Sequence, residues 1–305
     1  MGELFGMWSN TRMVVLTAIS AALYAAILIP FKVVPLIPGI TEFRPANAIP
    51  VVLSFLFGPA AAWGAAFGNL IGDFFGGLGP GDFFGFLGNL CYGFVPYAVW
   101  QALTDAPPVT ETPRALPRGI GWAAAGAALL VAVLASRLGL GAVNAIGIGL
   151  LVGGVIVAVR VTRAGLLATF ALASALCATI VGWGLQLLGF HPFTVLGTIV
   201  LMNDLVVAVA LGPMLLALLY PRVERAGLLY RDILGPRVPP PRWRGLLGVA
   251  LLTVGTTAAF AAGELIAAGR WVAPWAPYLP PTGSLAVGLG LVPFLLAAVA
   301  GLMLL

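Results

Sequence analysis

The side chains that could bind or convert a small molecule are concentrated in residues 38–100 of this chain. They are carboxylates, amides and aromatic groups set within apolar runs, and a polar group in hydrocarbon is costly unless it pairs, faces a cavity or binds a ligand. Pockets for small ligands combine an apolar lining with a few placed polar groups. We therefore predict a small-molecule pocket near one membrane face, lined in this stretch by Glu42, Arg44, Asn69, Asp73, Phe84, Asn89 and Tyr92.

The spacing of the charged members of this set indicates how they are presented. Glu42 and Arg44 are two residues apart in a loop, so in an extended backbone they point the same way and form a lid over the pocket or a surface ion pair. Asn69 and Asp73 are four residues apart and share one helix face. Asp73 then belongs to the pocket, pairs with Arg44, or lies in the headgroup region.

Two further pairs share helix faces. Asn89 and Tyr92 are three residues apart and serve the pocket or a hydrogen bond between helices. Trp183 and Gln186 are also three residues apart, near the end of a later apolar run. The rings of Trp183 and Phe84 offer flat faces that suit an aromatic ligand, so both pairs are predicted to reach the pocket.

Asn203 and Asp204 form the polar pair that lies deepest within an apolar run. An ionisable residue inside a membrane helix is by default a candidate functional residue. A structural hydrogen bond to another helix is the alternative explanation for its position. We predict that Asn203 and Asp204 form the floor of the pocket.

Several enzyme classes are excluded by residues that the chain lacks. His191 is its one histidine, so the sequence contains neither an HExxH motif nor a histidine-rich metal cluster. Lys32 is its one lysine and lies in no phosphate-binding loop, so the chain cannot hydrolyse ATP by that route. We expect no catalytic residue, no metal and no cofactor, and a protein that is not an enzyme.

The composition places these residues in a membrane. Of the 305 residues, 61% are hydrophobic and only 8% are charged, whereas soluble domains carry about 25% charged residues. This composition is typical of a polytopic, all-helical membrane protein in contact with lipid. Basic loops that orient such a protein explain the net charge of +5, so we expect no nucleic-acid partner.

The apolar runs predict about ten transmembrane helices, the last of them continuous from Ser284 to Leu305. Residues 1–103 carry helices one to four, and residues 104–163 carry an inserted hairpin with a cytoplasmic loop. Residues 164–221 carry helices seven and eight, and residues 222–305 carry an Arg- and Pro-rich cytoplasmic loop and a C-terminal hairpin. We predict a six-helix core, from the first and third parts, with two extra hairpins at its periphery.

The basic residues predict the orientation of these helices. With the N-terminus inside, the outer side carries four of the 15 basic residues, which leaves 15 − 4 = 11 inside; the four are Lys32, Arg44, Arg137 and Arg270. Because cytoplasmic loops carry the excess of Lys and Arg, both termini are predicted to be cytoplasmic in a multi-pass protein of the plasma membrane. The pocket then faces the side from which a nutrient arrives.

Several motifs together resemble the S components of energy-coupling factor (ECF) transporters, the membrane subunits that bind vitamins and related micronutrients. The motifs are the alanine-rich TAISAALYAA, the loop ending TEFRPANAIP, LFGPAAAWGAAFGNLIGDFFG, FLGNLCYGFVPYAVW, and PFTVLGTIVLMNDLVVAVALGP. They cover helices one to four and seven to eight, which matches the six-helix core of that family. The two extra hairpins depart from the family's pattern.

The resemblance implies a role in vitamin uptake. An S component captures substrate outside and docks on a transmembrane coupling subunit through the small-residue face of its first helix, matched here by Ala18, Ala22 and Ala26. Two cytoplasmic ATPases then drive toppling and inward release. The chain lacks the N-terminal histidine site of the nickel and cobalt branch, so the implied substrate is an organic micronutrient or precursor, for instance a corrinoid or a deazapurine-type base.

The residues leave a second class of function open. A self-sufficient secondary transporter of a small organic solute could use the carboxylate of Asp204 or Glu264 as a proton site. Dependence of uptake on ATPases or on a proton gradient separates the two functions. An integral-membrane enzyme would need a converging metal or nucleophile set, which the sequence does not offer.

Overall fold

The computed structural model describes residues 2–31, 35–37, 41–42, 44–109, 119–137, 162–235, 241–280 and 282–305. The helices in the first half are α1 (Gly2–Gly6), α2 (Thr11–Phe31), α3 (Ala48–Phe57), α4 (Pro59–Phe74), α5 (Asp82–Leu103) and α6 (Ile120–Arg137). Those in the second half are α7 (Thr162–Leu187), α8 (Phe193–Arg225), α9 (Tyr230–Leu234), α10 (Arg242–Ala267), α11 (Ser284–Gly290) and α12 (Val292–Leu304). Short 3-10 turns cover Met7–Ser9 and Pro45–Asn47.

A small β-hairpin lies between α2 and α3. Its strands are β1 (Pro35–Ile37) and β2 (Thr41–Glu42), which pair antiparallel. The hairpin and the 3-10 turn that follows it bring the chain from the end of α2 to the start of α3.

Local sequence signals explain where the first helices begin and end. The Asn10 side-chain oxygen accepts the backbone N–H groups of Arg12 and Met13 at 3.0 and 3.3 Å, which caps the start of α2. Gly58 has a φ of +52°, a value that favours glycine, and Pro59 then opens α4. The α3–α4 turn therefore follows from a Gly-Pro pair.

The helices predicted to form the core pack together around α3. Helix α2 packs on α4, α4 on α5, α5 on α7, and α7 on α8. Helix α3 contacts α2, α4, α5 and α8, and all of its residues except Ile49 are buried. The short α3 is thus the central helix, against which the longer helices are arranged.

The C-terminal hairpin of α10, α11 and α12 belongs to the same hydrophobic core as the rest of the chain. Helix α10 packs on α12 and also on α5, α7 and α8, and α11 packs on α7. The last helix was predicted to be continuous, and this is wrong: α11 and α12 are bent by 41° at Leu291. Pro293 in the first turn of α12 explains the break, because it has no N–H to donate to the preceding turn.

Five described helices are long and apolar enough to cross a membrane, or six if the bent pair counts as one span. The five spans are Thr11–Phe31, Asp82–Leu103, Gly165–Leu187, Phe193–Leu234 and Arg242–Ala267. Helices α3 and α4 are shorter, at 10 and 16 residues. The second helix of the predicted central hairpin lies outside the described residues, so the count of ten stays a prediction.

Candidate ligand-binding cavity

A cavity of about 300 Å³ lies among α2, α4, α5, α7 and α8, at the end of the molecule where the glycine-rich loop joins α4 to α5. Val181, Leu185, Leu196 and Val200 supply much of its apolar lining. Its polar lining residues come from five separate segments of the chain and are Tyr24, Arg44, Asn47, Asn69, Asp73, Asp82, Asn89, Asn203 and Asp204.

A buried hydrogen-bond network connects α2, the turn before α3, α5 and α8 beneath this cavity. The Tyr24 hydroxyl lies 2.9 Å from Asn47 Oδ1 and 3.1 Å from Asn89 Oδ1, and its single proton is donated to one of them at a time. The amide of Asn47 donates to Asp204 Oδ1 at 2.5 Å. A polar network at this depth fixes the relative positions of the helices that contribute to it.

The two carboxylate oxygens of Asp204 differ in their hydrogen-bond partners among the described residues. The residue is only 4% exposed, and its Oδ2 accepts no hydrogen bond from a nitrogen or oxygen donor among the described residues. A buried acceptor without a donor costs about 1–3 kcal/mol. Since Asp204 lines the cavity, a ligand with an N–H or O–H group there would relieve that cost.

Asn69 presents a second acceptor of the same kind. Its amide nitrogen donates to Asp73 Oδ2 at 2.6 Å, one helical turn further along α4. Its Oδ1 is buried and has no hydrogen-bond partner among the described residues. Gly85 of α5 faces this pair, and a Cβ there would lie 3.1 Å from the Asn69 amide nitrogen. Two residues that line the cavity, Asp204 and Asn69, therefore each have a buried oxygen without a nitrogen or oxygen donor in the described part of the chain.

The entrance of the cavity is formed by the loop between α4 and α5. Gly77, Leu78 and Gly79 are exposed and line the cavity, and Asp82 Oδ2 accepts the backbone N–H of Gly79 at 2.6 Å. On the opposite side, the backbone N–H of Arg44 donates to Asn203 Oδ1 at 3.3 Å. This contact ties the segment after β2 to α8 beside the cavity.

Six of the eleven predicted binding residues come together in this cavity. They are Arg44, Asn69, Asp73, Asn89, Asn203 and Asp204. Glu42 lies in β2, and its side chain is outside the part of the chain that is described. The binding of a ligand by these residues stays a prediction.

The remaining four predicted binding residues do not line the cavity, and two of them support it from outside. The Tyr92 hydroxyl lies 3.1 Å from the carbonyl oxygen of Asn47 and 3.3 Å from that of Asp204, so it braces the floor from below. Gln186 Oε1 accepts the backbone N–H of Phe193 at 2.6 Å, which satisfies a free donor at the start of α8.

The two aromatic rings predicted to hold a ligand pack on each other instead. The rings of Phe84 and Trp183 meet edge to face with centroids 5.7 Å apart. The Trp183 indole N–H donates to the carbonyl oxygen of Gly288 in α11 at 2.9 Å. In this structure both rings join helices to each other and do not form the wall of the cavity.

The predicted binding set did not include three residues that line the cavity, Tyr24, Asn47 and Cys177. Tyr24 lies in an alanine-rich apolar run, where an aromatic residue is normally interpreted as part of the hydrophobic core. Its polar hydroxyl within a membrane helix was the signal that could have identified it. Cys177 offered no such signal, because a buried cysteine behaves as a small hydrophobic residue.

The alanines predicted to dock a partner lie on the outer face of α2. Ala18, Ala22 and Ala26 are all exposed. Ala21 and Ala25, on the other side of the same helix, are buried. Internal packing therefore uses the second pair and leaves the first three free for contact with lipid or with another helix.

Comparison with known proteins gives a match to a protein family. A family model described as QueT transporter matches residues 14–221, a segment that runs from α2 into the last turns of α8. No curated protein and no solved structure matches the chain. The matched segment contains every described residue of the polar network, and the C-terminal hairpin lies beyond it.

Proposed function

Since this chain belongs to the QueT transporter family, we propose that it is the substrate-binding S component of an ATP-driven ECF importer and that its ligand is a precursor of queuosine. The family is a transport family and not an enzyme family, and the chain is a multi-pass membrane protein. Membership of the family confirms the resemblance to S components noted from the motifs.

The observation that carries this proposal is that two residues lining one cavity, Asp204 and Asn69, each have a buried oxygen (Oδ2 and Oδ1) that accepts no hydrogen bond from a nitrogen or oxygen donor among the described residues. Queuosine precursors are built on a planar 7-deazaguanine base, whose ring and amino N–H groups are hydrogen-bond donors. A volume of about 300 Å³ lies at the lower end of ligand pockets, which suits a base better than a large cofactor. Arg44 and Asn203 supply further polar groups at the entrance.

The proposed partners follow from the outer face of α2. Ala18, Ala22 and Ala26 present a small-residue stripe without a covering helix among the described residues, and small residues let helices approach closely in membranes. We assign this face to a transmembrane coupling subunit that is driven by two cytoplasmic ATPases. With the predicted ten-helix topology, 11 of the 15 basic residues fall on one side, and this supports cytoplasmic termini and an outward-facing cavity.

Mass spectrometry of small molecules that co-purify with the protein tests the ligand. A 7-deazaguanine base released on denaturation, at close to one molecule per chain, is the expected result. A co-purified compound of another class, together with no calorimetric response to queuosine precursors, would contradict the assignment of the substrate.

Uptake measurements test the coupling. The buried carboxylate of Asp204 in α8 is the observation that favours the competing function, a secondary transporter driven by protons. Cells that contain this chain with the coupling subunit and ATPases should accumulate labelled base, and cells without the ATPases should not. Uptake that persists without ATPases and stops with a protonophore would support the secondary transporter instead.

A further inference from the structure

We propose that the C-terminal hairpin, residues 242–305, is a permanent clamp that holds the α7–α8 wall of the cavity in its binding geometry. The hairpin lies beyond the segment that matches the family, and the function proposed above gives it no role. The clamp rests on three contacts, which involve Phe193, Trp183 and Thr198 on the wall. Only the ligand measurement below rests on the proposed function.

The first contact is a ring held by three glycines. Phe193 begins α8 and is fully buried. A Cβ would lie within 3.0 Å of its ring at Gly182 of α7, at Gly197 of α8 and, at 2.6 Å, at Gly263 of α10. The ring therefore has no room to move, and α10 closes the socket from the side of the hairpin.

The second and third contacts lie beside this socket. The Trp183 indole N–H donates to the Gly288 carbonyl oxygen at 2.9 Å, and a Cβ on Gly288 would lie 2.6 Å from Leu187. The hydroxyl of Thr198 in α8 lies 3.2 Å from Glu264 Oε1 in α10, and Glu264 is buried. Helices α7 and α8 are thus each bound to the hairpin by a polar contact.

The contacts affect the wall of the cavity because the two faces of α7 have different neighbours. Cys177, Val181 and Leu185 are four residues apart, share one face and line the cavity. Trp183 lies on the opposite side of the same turns and donates to the hairpin, and Gly182 packs on the Phe193 ring that α10 also contacts. A shift of the hairpin would therefore move the helix whose other face lines the cavity.

The hairpin is stiff enough to serve as a clamp. Helices α10 and α12 meet through small residues, since a Cβ on Gly255 would lie 2.5 Å from the backbone of Ala298 and a Cβ on Gly301 would lie 2.5 Å from that of Leu252. Backbones this close leave little freedom for the two helices to slide. The pair then moves as one unit against α7 and α8.

Two matched substitutions in α10 test the clamp. Gly263→Leu forces a side chain into the Phe193 ring, whereas Gly248→Leu meets Gly301 and Leu304 at the far end of the hairpin, at 3.1 Å. Cys177, which is buried and lines the cavity, reports on the wall by its rate of reaction with a small maleimide in a Cys91→Ala background. This measurement needs no ligand.

Gly263→Leu should raise the labelling rate of Cys177 at least about tenfold, since about 1.4 kcal/mol of local opening suffices for that factor. Gly248→Leu should lower the melting temperature in detergent and leave the labelling rate unchanged. Equal labelling rates in wild type and Gly263→Leu, or an equal rise in both variants, would overturn the clamp.

Trp183→Phe adds a ligand measurement with a gentler change. It keeps an aromatic ring against Phe84 and removes the hydrogen bond to Gly288, so affinity for a 7-deazaguanine queuosine precursor should fall about fivefold. Unchanged affinity in Trp183→Phe would overturn the role of this bond as a positioning contact. No binding to wild type, together with faster labelling in Gly263→Leu, would refute the proposed substrate and leave the clamp standing.

Discussion

At the scale of single residues, the cavity is defined by which polar atoms are already satisfied. Asp204 Oδ1 accepts from Asn47 at 2.5 Å, so its position is fixed before any ligand arrives. Its Oδ2 accepts from no nitrogen or oxygen donor among the described residues. A carboxylate that is already held by one of its oxygens would lose less side-chain freedom when a ligand donor pairs with the other oxygen.

Asp204→Asn is the substitution that isolates this oxygen. The asparagine amide keeps an oxygen that can accept from Asn47, but its NH2 group replaces Oδ2. An N–H donor of the ligand would then face another donor. Loss of one partner in a buried charged hydrogen bond costs about 2–5 kcal/mol, and the dissociation constant should rise by a factor of about 30 or more. Calorimetry with a queuosine precursor measures the dissociation constant, and Asp232→Asn, at an exposed position of α9, is the control that should bind as wild type. A wild-type dissociation constant in Asp204→Asn would place the ligand elsewhere.

Tyr24→Phe tests whether the buried hydrogen-bond network stabilises the fold, and this test needs no ligand. The change removes the hydroxyl that lies within 3.1 Å of both Asn47 Oδ1 and Asn89 Oδ1, and it leaves buried amide oxygens short of a donor. The free energy of unfolding in detergent should fall by about 1–3 kcal/mol. Tyr278→Phe, at a residue that is 79% exposed, should leave it unchanged. Equal stability of Tyr24→Phe and wild type would mean that the network does not hold these helices together.

At the scale of elements, α2 carries two small-residue faces with different uses. One face packs on α4, where a Cβ on Gly64 would lie 2.3 Å from Ser20 and a Cβ on Gly68 would lie 2.8 Å from the Ala21 carbonyl oxygen. The other face carries Ala18 and Ala22 and is exposed. A helix with small residues on both sides can contact two neighbouring helices closely. Among the described residues, α4 is one such neighbour.

Ala22→Trp tests whether the exposed face meets a coupling subunit. A large ring there would separate the two helix backbones, so uptake should be lost while ligand binding by the purified subunit stays intact. The control is Ala250→Trp, which makes the same change at an exposed position of α10. This variant should show normal uptake. Normal uptake by Ala22→Trp would remove this face as the docking surface.

The sequence predicted four membrane helices within residues 1–103, and the structure has α2, α3, α4 and α5 there. Local signals separate some of them, since Asn10 caps the start of α2 and Gly58-Pro59 divides α3 from α4. The bend at Leu291 was missed because proline is tolerated inside membrane helices, so Pro293 alone did not predict it.

The candidate site was predicted less completely because helix faces depend on what packs behind them. Asn69, Asp73 and Asp204 reach the cavity, as expected for polar groups that need partners in hydrocarbon. Trp183 and Gln186 turn toward the hairpin and the start of α8. Their spacing alone could not reveal this, since a hydrogen-bonding group on a helix is satisfied equally by a ligand or by another helix.

At the scale of the whole molecule, the two ends differ in what they present. One end carries the candidate cavity and the exposed Phe74 and Phe75 at the end of α4. The other end carries a second cavity of about 270 Å³, whose lining includes Gln101, Tyr230 and Arg231. There Gln101 of α5 donates to the Tyr230 hydroxyl, and the Arg231 guanidinium lies 3.1 Å from the same oxygen. Because each end has a cavity, the side from which a substrate could enter depends on which end faces outward.

The orientation of these ends can be measured directly by cysteine labelling. In a chain whose Cys91 and Cys177 are replaced by alanine, Phe75→Cys tests the cavity end and Glu224→Cys tests the opposite end, both at exposed positions. The excess of Lys and Arg near Glu224 predicts a cytoplasmic location for it. A membrane-impermeant maleimide added to intact cells should therefore label Phe75→Cys and should label Glu224→Cys only after permeabilisation. The reverse pattern would turn the cavity to the cytoplasm, where it could not capture a nutrient from outside, and the proposed import would have to be abandoned.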